Sequence, residues 1–228
     1  MSIEKLTSLD QTVFLIAGLV LFTSFVLLAQ PRLLAAVRAF AWQGALIALV
    51  TALVAVSDGS VHLFVSALLT VALKALLIPW MLHRLIRRLG LERFVEPLRR
   101  PALVLMGAAI LVVFSYWLVA PVVRLELAAT RNIVAISLSV VLIGMLLMVF
   151  RQQAVAQVLG FMSMENGLFL TAVSATHGMP LIVELGIAFD VLVAMILFGV
   201  FFFQIRSSID SLDVDRMNRL TEIRDDQP

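Results

Sequence analysis

The chain contains no cysteine, and only three histidines, three tryptophans and one tyrosine occur among its 228 residues. Without thiols it cannot ligate an iron–sulfur cluster, hold a thiolate-bound metal or form a disulfide. His62, His83 and His177 lie in separate turns with no close-spaced His/carboxylate cluster, so neither a metal site nor a bound cofactor is expected in this chain. Charge is scarce as well: 14% of residues are charged and 62% hydrophobic, with a formal net charge of +2. Soluble domains run near about 25% charged and about 45–50% apolar. Together with a mean hydropathy of +1.07, this composition is that of an all-α polytopic membrane protein. The arginines sit in membrane loops, so they imply lipid-facing topology signals and no nucleic-acid partner. The chain also lacks a P-loop, a glycine-rich dinucleotide turn and any serine or cysteine nucleophile constellation, which excludes a covalent-chemistry enzyme acting alone.

Long apolar runs are what the chain has instead. Seven runs of the length needed to cross roughly 30 Å of hydrocarbon are expected at 11–30, 33–56, 60–82, 102–122, 131–150, 153–175 and 180–204. The acidic, polar start MSIEKLTSLDQ is a poor signal peptide, so the first run is expected to remain as a span. Most connections are a few residues long and make neighbours antiparallel. The segment HRLIRRLGLERFVEPLRRP at 83–101 reads either as an amphipathic helix on the membrane surface or as a stop-transfer loop. Pro79 and Pro121 fall near span ends, where a terminating role suffices.

With an odd number of spans the termini lie on opposite sides. Placing the N-terminus outside puts thirteen arginines on the cytoplasmic side (32, 38, 84, 87, 88, 93, 99, 100, 151, 206, 216, 219 and 224) and only Lys5, Arg124 and Arg131 outside. The positive-inside rule then gives N-terminus out and C-terminus cytoplasmic. The organisation that follows is a three-helix unit with a basic loop at 1–101, a linking helix at 102–130, a second three-helix unit at 131–204 and a cytoplasmic tail at 205–228. The order of polar features in the two units (Arg32, Gln43-Gly44, Lys74; then Arg151, Glu165-Asn166-Gly167, Asp190) gives a weak internal repeat.

Within the spans three charges remain. Counted from the turn at 175–179, Glu165 and Asp190 each lie about eleven residues into their helices, which puts both at one depth, roughly 16 Å from the surface. An ionised group there costs about 2.5–3.5 kcal/mol. Two carboxyls on adjacent helices make a step in a proton relay; the alternative is that both serve assembly through hydrogen bonds. Lys74, in VALKALLIPW, either exchanges protons and offsets a carboxylate, or snorkels to an interface. Glu184 is a possible entrance to Asp190 or a boundary residue in water, His177 a loop histidine on the outer side, and Arg151 a topology signal first and a proton-path residue second. Gln43 and Asn166 read as packing contacts across helices, and Gly160, Gly167 and Gly186 as points of close backbone approach around the acids.

The run 141–224 resembles the small three-helix NuoK-type subunit of respiratory complex I, called MrpC in multisubunit sodium/proton antiporters. The resemblance rests on the basic turn at Arg151, the helix LGFMSMENG with Glu165, the mid-membrane Asp190 followed by LVAMILFGVFFF, and the tail IDSLDVDRMNRLTEIRD. The whole chain, including LKALLIPWMLHRLIRR with Lys74, is similar to the E component of hydrogenase-4 and its counterparts in group 4 [NiFe]-hydrogenase complexes. That resemblance implies a non-catalytic membrane subunit of a redox complex in the bacterial inner membrane. Its partners would be antiporter-like membrane subunits and peripheral hydrogenase subunits, with the nickel–iron and iron–sulfur centres held only by those partners. It also implies that Glu165 and Asp190 belong to a polar axis along the membrane arm. Aspartate at 190 departs from the family's glutamate by one methylene. Two rivals stand beside this reading: a subunit of a cation/proton antiporter with no redox partner, and a purely structural arm subunit.

Overall fold

A computed structural model describes residues 8–59, 61–90, 100–122, 128–175, 186–197 and 199, and everything described in it is helical apart from short turns. The helices are α1 (Ser8–Ala29), α2 (Leu33–Asp58), α3 (Val61–Thr70), a π-helical segment (Val71–Leu77), α4 (Ile78–Arg88), α5 (Pro101–Val122), α6 (Ala128–Phe150) and α7 (Ala154–Ala175). A further apolar helix, α8, covers Gly186–Leu197. Helices are the expected answer in a bilayer, because each satisfies its own backbone groups where no water is present.

Local sequence sets where they stop. Pro31 has no N–H to continue α1, and Arg32 leads into α2 in an extended conformation (φ −102°, ψ 125°). Gly59, at φ +62°, closes α2 in the left-handed region and returns its N–H to the Ala55 carbonyl. Pro101 opens α5 at the position where a missing N–H costs nothing, and the Arg100 carbonyl accepts the N–H groups of Leu103 and Val104.

Among the described residues, five stretches are long and apolar enough to cross a membrane: Gln11–Ala29, Leu33–Ser57, Leu63–Arg88, Pro101–Pro121 and Arg131–Phe150. The chain is therefore a multi-pass membrane protein. The sixth expected span, 153–175, is a 22-residue helix in the structure, made more polar by Gln157, Glu165 and Asn166. Of the seventh, 180–204, the described part is α8. The third span differs from its expectation. It continues beyond residue 82 to Arg88, so His83–Arg88 extend a membrane helix instead of starting a surface one. Pro79 consequently lies inside a continuous helix and not at its end. Residues 91–99 of the basic segment and the tail 205–228 lie outside the described residues.

Helix α2 packs against α1, α3, the π segment, α4 and α7. Two apolar clusters hold the bundle, one around Phe40, Leu82, Ile143 and Leu159, the other around Val20, Ile47, Val140 and Leu170. Helices α6 and α7 make the most intimate contact, and glycines are the reason. A Cβ on Gly144 would lie 2.7 Å from the Met164 nitrogen, and one on Gly167 2.7 Å from the Ser137 carbonyl oxygen. Van der Waals contact between helices is what association in lipid rests on, and bare glycines allow it. Gly144→Val is accordingly expected to lower stability by about 1–3 kcal/mol, read as an earlier unfolding midpoint in mixed detergent micelles; an unchanged midpoint would contradict this packing.

Candidate functional site

Pro79 removes one helical hydrogen bond, and its ring crowds the carbonyl four residues back. Just ahead of it the helix widens into the π segment Val71–Leu77, whose end is marked by the Ile78 N–H reaching back five residues to the Leu73 carbonyl. Such π segments recur at functional positions. Lys74 lies in the middle of this one. Across from it, α2 presents Gly44, where a Cβ would sit 3.0 Å from the Lys74 Cβ and 3.1 Å from its carbonyl carbon and oxygen. The glycine lets the widened helix rest against α2, and the lysine side chain continues inward to complete burial, with 0% of its surface exposed.

The ammonium meets both acids. Lys74 Nζ lies 2.9 Å from Glu165 Oε1 and 3.5 Å from Asp190 Oδ2, and it donates at 3.0 Å to Asn166 Oδ1. The Phe169 ring centroid is 5.3 Å away, close enough for a cation–π contribution. Glu165 and Asp190 are themselves 6% and 1% exposed. Each acid keeps one buried oxygen, Glu165 Oε2 and Asp190 Oδ1, that has no hydrogen-bond donor among the described residues. Gly186 opens the α8 side: a Cβ there would lie 3.3 Å from Glu165 Oε1. A cavity of about 200 Å³, lined by Glu165 with Phe161, Leu168, Phe169 and Phe189 among others, runs between α7 and α8 beside the pair.

From Asn166 the polar contacts continue away from the charges. Its Nδ2 donates to Gln43 Oε1 at 3.1 Å. Gln43 Nε2 in turn donates to Ser24 Oγ at 2.8 Å and Ser163 Oγ at 3.1 Å. Ser24 closes the chain on its own helix, donating to the Val20 carbonyl. All four residues are buried.

The structure thus brings together Lys74, Glu165 and Asp190. It does not bring in Arg151, which precedes the start of α7, whereas Glu165 lies about 16 Å along that helix. The Arg151 side chain is buried and donates to the carbonyls of Gln30 (2.6 Å) and Leu28 (3.3 Å), tying the α6–α7 turn to the end of α1. Glu184 and His177 lie outside the described residues. Sequence reasoning missed the part played by Ser24, Gly44 and Ser163. Serines inside apolar helices mostly bond their own backbone, as Ser137 and Ser139 do here, so these two carry little signal. Among the described residues no three histidine, aspartate or glutamate side chains gather in a way that could hold a metal ion.

Chemically, two carboxyls and one ammonium carry a net charge of −1 when all are ionised and zero when one proton is shared between the acids. Burial favours the neutral arrangement, since an uncompensated charge in this setting costs several kcal/mol.

Comparison with known proteins adds lineage. The chain is 38% identical over 210 residues to the uncharacterized protein Rv0085 of Mycobacterium tuberculosis, covering 92% of this chain and 95% of that one. It is 24% identical over 205 residues to proteins described as hydrogenase-4 component E in Escherichia coli and Shigella flexneri, covering 90% of this chain and 95% of theirs. No protein-family model and no solved structure matches it.

Proposed function

Because the chain belongs to the family of the mycobacterial protein Rv0085, which it matches nearly end to end, we propose a function in which every part of that shared length is used: a membrane subunit of a hydrogenase or complex I-like redox complex. The distant likeness to hydrogenase-4 component E extends over the same span of chain and supports this class. In this reading the chain crosses the bacterial inner membrane seven times, with its N-terminus outside and its C-terminus in the cytoplasm. It binds no redox centre itself; nickel–iron and iron–sulfur groups reside in peripheral partners, and antiporter-like membrane subunits lie alongside.

The observation that carries the proposal is the buried Lys74–Glu165–Asp190 cluster. A proton held between the acids leaves the cluster neutral, and its departure leaves one negative charge fixed by the bundle. Electron transfer in the partners alters the field at the cluster, and the cluster answers by taking up or releasing its proton. Lys74 keeps the ionised acid paired throughout, which makes the step affordable inside the membrane.

The test is proton translocation by the assembled complex, comparing Glu165→Gln and Asp190→Asn with the parent. Complex yield is expected to hold while protons moved per electron fall. Parental translocation in assembled variants would refute the proton-path role, and proton flux without any electron donor would assign the subunit to a redox-free antiporter.

A further inference from the structure

The two amides beside the cluster form an ordered line, and the proton-site reading above leaves them without a task. Asn166 follows Glu165 directly on α7, and both reach Lys74: Glu165 Oε1 at 2.9 Å and Asn166 Oδ1 at 3.0 Å. Asp190, on α8, has one contact to the ammonium, at 3.5 Å. The ammonium is therefore gripped by two neighbouring acceptors on one helix and only approached by the third.

An amide can turn either its oxygen or its nitrogen toward a neighbour, and the wrong end would repel the ammonium. What fixes Asn166 is Gln43. Its Oε1 accepts the Asn166 Nδ2, while its own Nε2 is committed to Ser24 and Ser163. Ser24, on α1, is anchored by its own bond to the Val20 carbonyl, and Ser163 stands on α7. Turning Gln43 around would set its nitrogen against the Asn166 nitrogen. Each amide in the line thus has one orientation that satisfies both of its neighbours, with the ammonium, which can only donate, at one end and the serine hydroxyls at the other. Because every member is buried, water cannot stand in for a lost partner, and a missing bond keeps its full cost.

We infer that Asn166, oriented by Gln43, is a positioning residue that assigns Lys74 to Glu165 and so leaves the exchangeable proton on Asp190. The role rests on the cluster being a proton site, but its test does not require the redox complex. With Asn166 present, the ionised acid is Glu165 and the neutral one is Asp190. With its carbonyl removed, Lys74 loses one of its two acceptors on α7, is held there by Glu165 alone, and shifts toward Asp190, which exchanges the roles of the two acids.

Infrared spectra of the full-length chain in lipid bilayers, with carboxyl carbon-13 placed in aspartate or in glutamate, read which residue type carries the protonated carboxyl. In the parent the protonated-carboxyl band should shift only on aspartate labelling. In Asn166→Leu that aspartate-derived band should be lost and a glutamate-derived one gained. Gln43→Leu should give the same change to a smaller extent, since Asn166 remains but is no longer oriented. If one variant does not fold, the other decides. Amides that merely pack would lower stability and leave the band with aspartate in both variants. That result, a glutamate-derived band in the parent, or no protonated-carboxyl band at all would each overturn the assignment. Should the band move as expected while proton translocation is indifferent to Glu165 and Asp190, the positioning role stands and the redox-coupled function falls.

Discussion

Lys74→Met is expected to destabilise the chain by about 3–5 kcal/mol, the cost typical of stranding a buried charge by removing its partner. The exchange removes the only positive group from a cluster that retains two buried carboxyls, and it strips Asn166 Oδ1 of its donor. Methionine matches the apolar stem of lysine and fills its volume, so the loss is electrostatic and not a packing defect. The charge count makes the prediction specific. Lys74→Met combined with Glu165→Gln leaves one acid able to go neutral with a single proton, and it should recover much of the loss. Unfolding midpoints of the single and double variants in mixed micelles measure both quantities. If the double variant is as unstable as the sum of its two single exchanges, the ammonium and the carboxylate are not coupled, and the cluster does not work as a unit.

Much of this arrangement was legible in the chain before its structure, for a physical reason. A carboxylate or ammonium deep in an apolar run is costly, so Glu165, Asp190 and Lys74 stand out against a background of alanine, leucine and valine. Helix ends were less clear: Pro31, Gly59 and Pro101 act at them through φ and a missing or redirected N–H, whereas of the two prolines read as terminating, Pro79 and Pro121, the first lies inside a continuous helix. Two other features were hidden. The helical periodicity of 60–82 gives no warning that Val71–Leu77 is π-wound, since the change is one extra residue in a turn and its apparent cause, Pro79, equally suits a helix end. The three charges also sit on three helices, and nothing in sequence spacing says that Lys74 faces the two acids and not lipid. That depended on Gly44, whose lack of a side chain admits the π segment. Likewise Gln43 and Asn166 read as glue between helices. Only the direction of their hydrogen bonds, donated from the ammonium through Asn166 and Gln43 to the serines, distinguishes an oriented line from ordinary packing.

Gly44 is where that dependence becomes measurable. Gly44→Leu places a branched side chain against the Lys74 backbone at a point where even a Cβ is 3.0–3.1 Å from three Lys74 atoms. Two of those atoms are backbone, so no side-chain rotation relieves the contact and the π segment itself must move away from α2. Reacting groups displaced by about 1 Å can lose on the order of 100-fold in rate, and a loss approaching that size is expected in proton translocation by complexes that still assemble. Gly44→Ala, which asks the neighbouring helix to yield by a few tenths of an ångström, should show a partial loss in the same direction. Gly18 supplies the control, since nothing lies within 4 Å of a Cβ there, and Gly18→Leu should translocate protons as the parent does. Parental translocation in Gly44→Leu would mean that the position of Lys74 relative to the acids does not matter, and the lysine would then be a fixed counterion without a part in moving the proton.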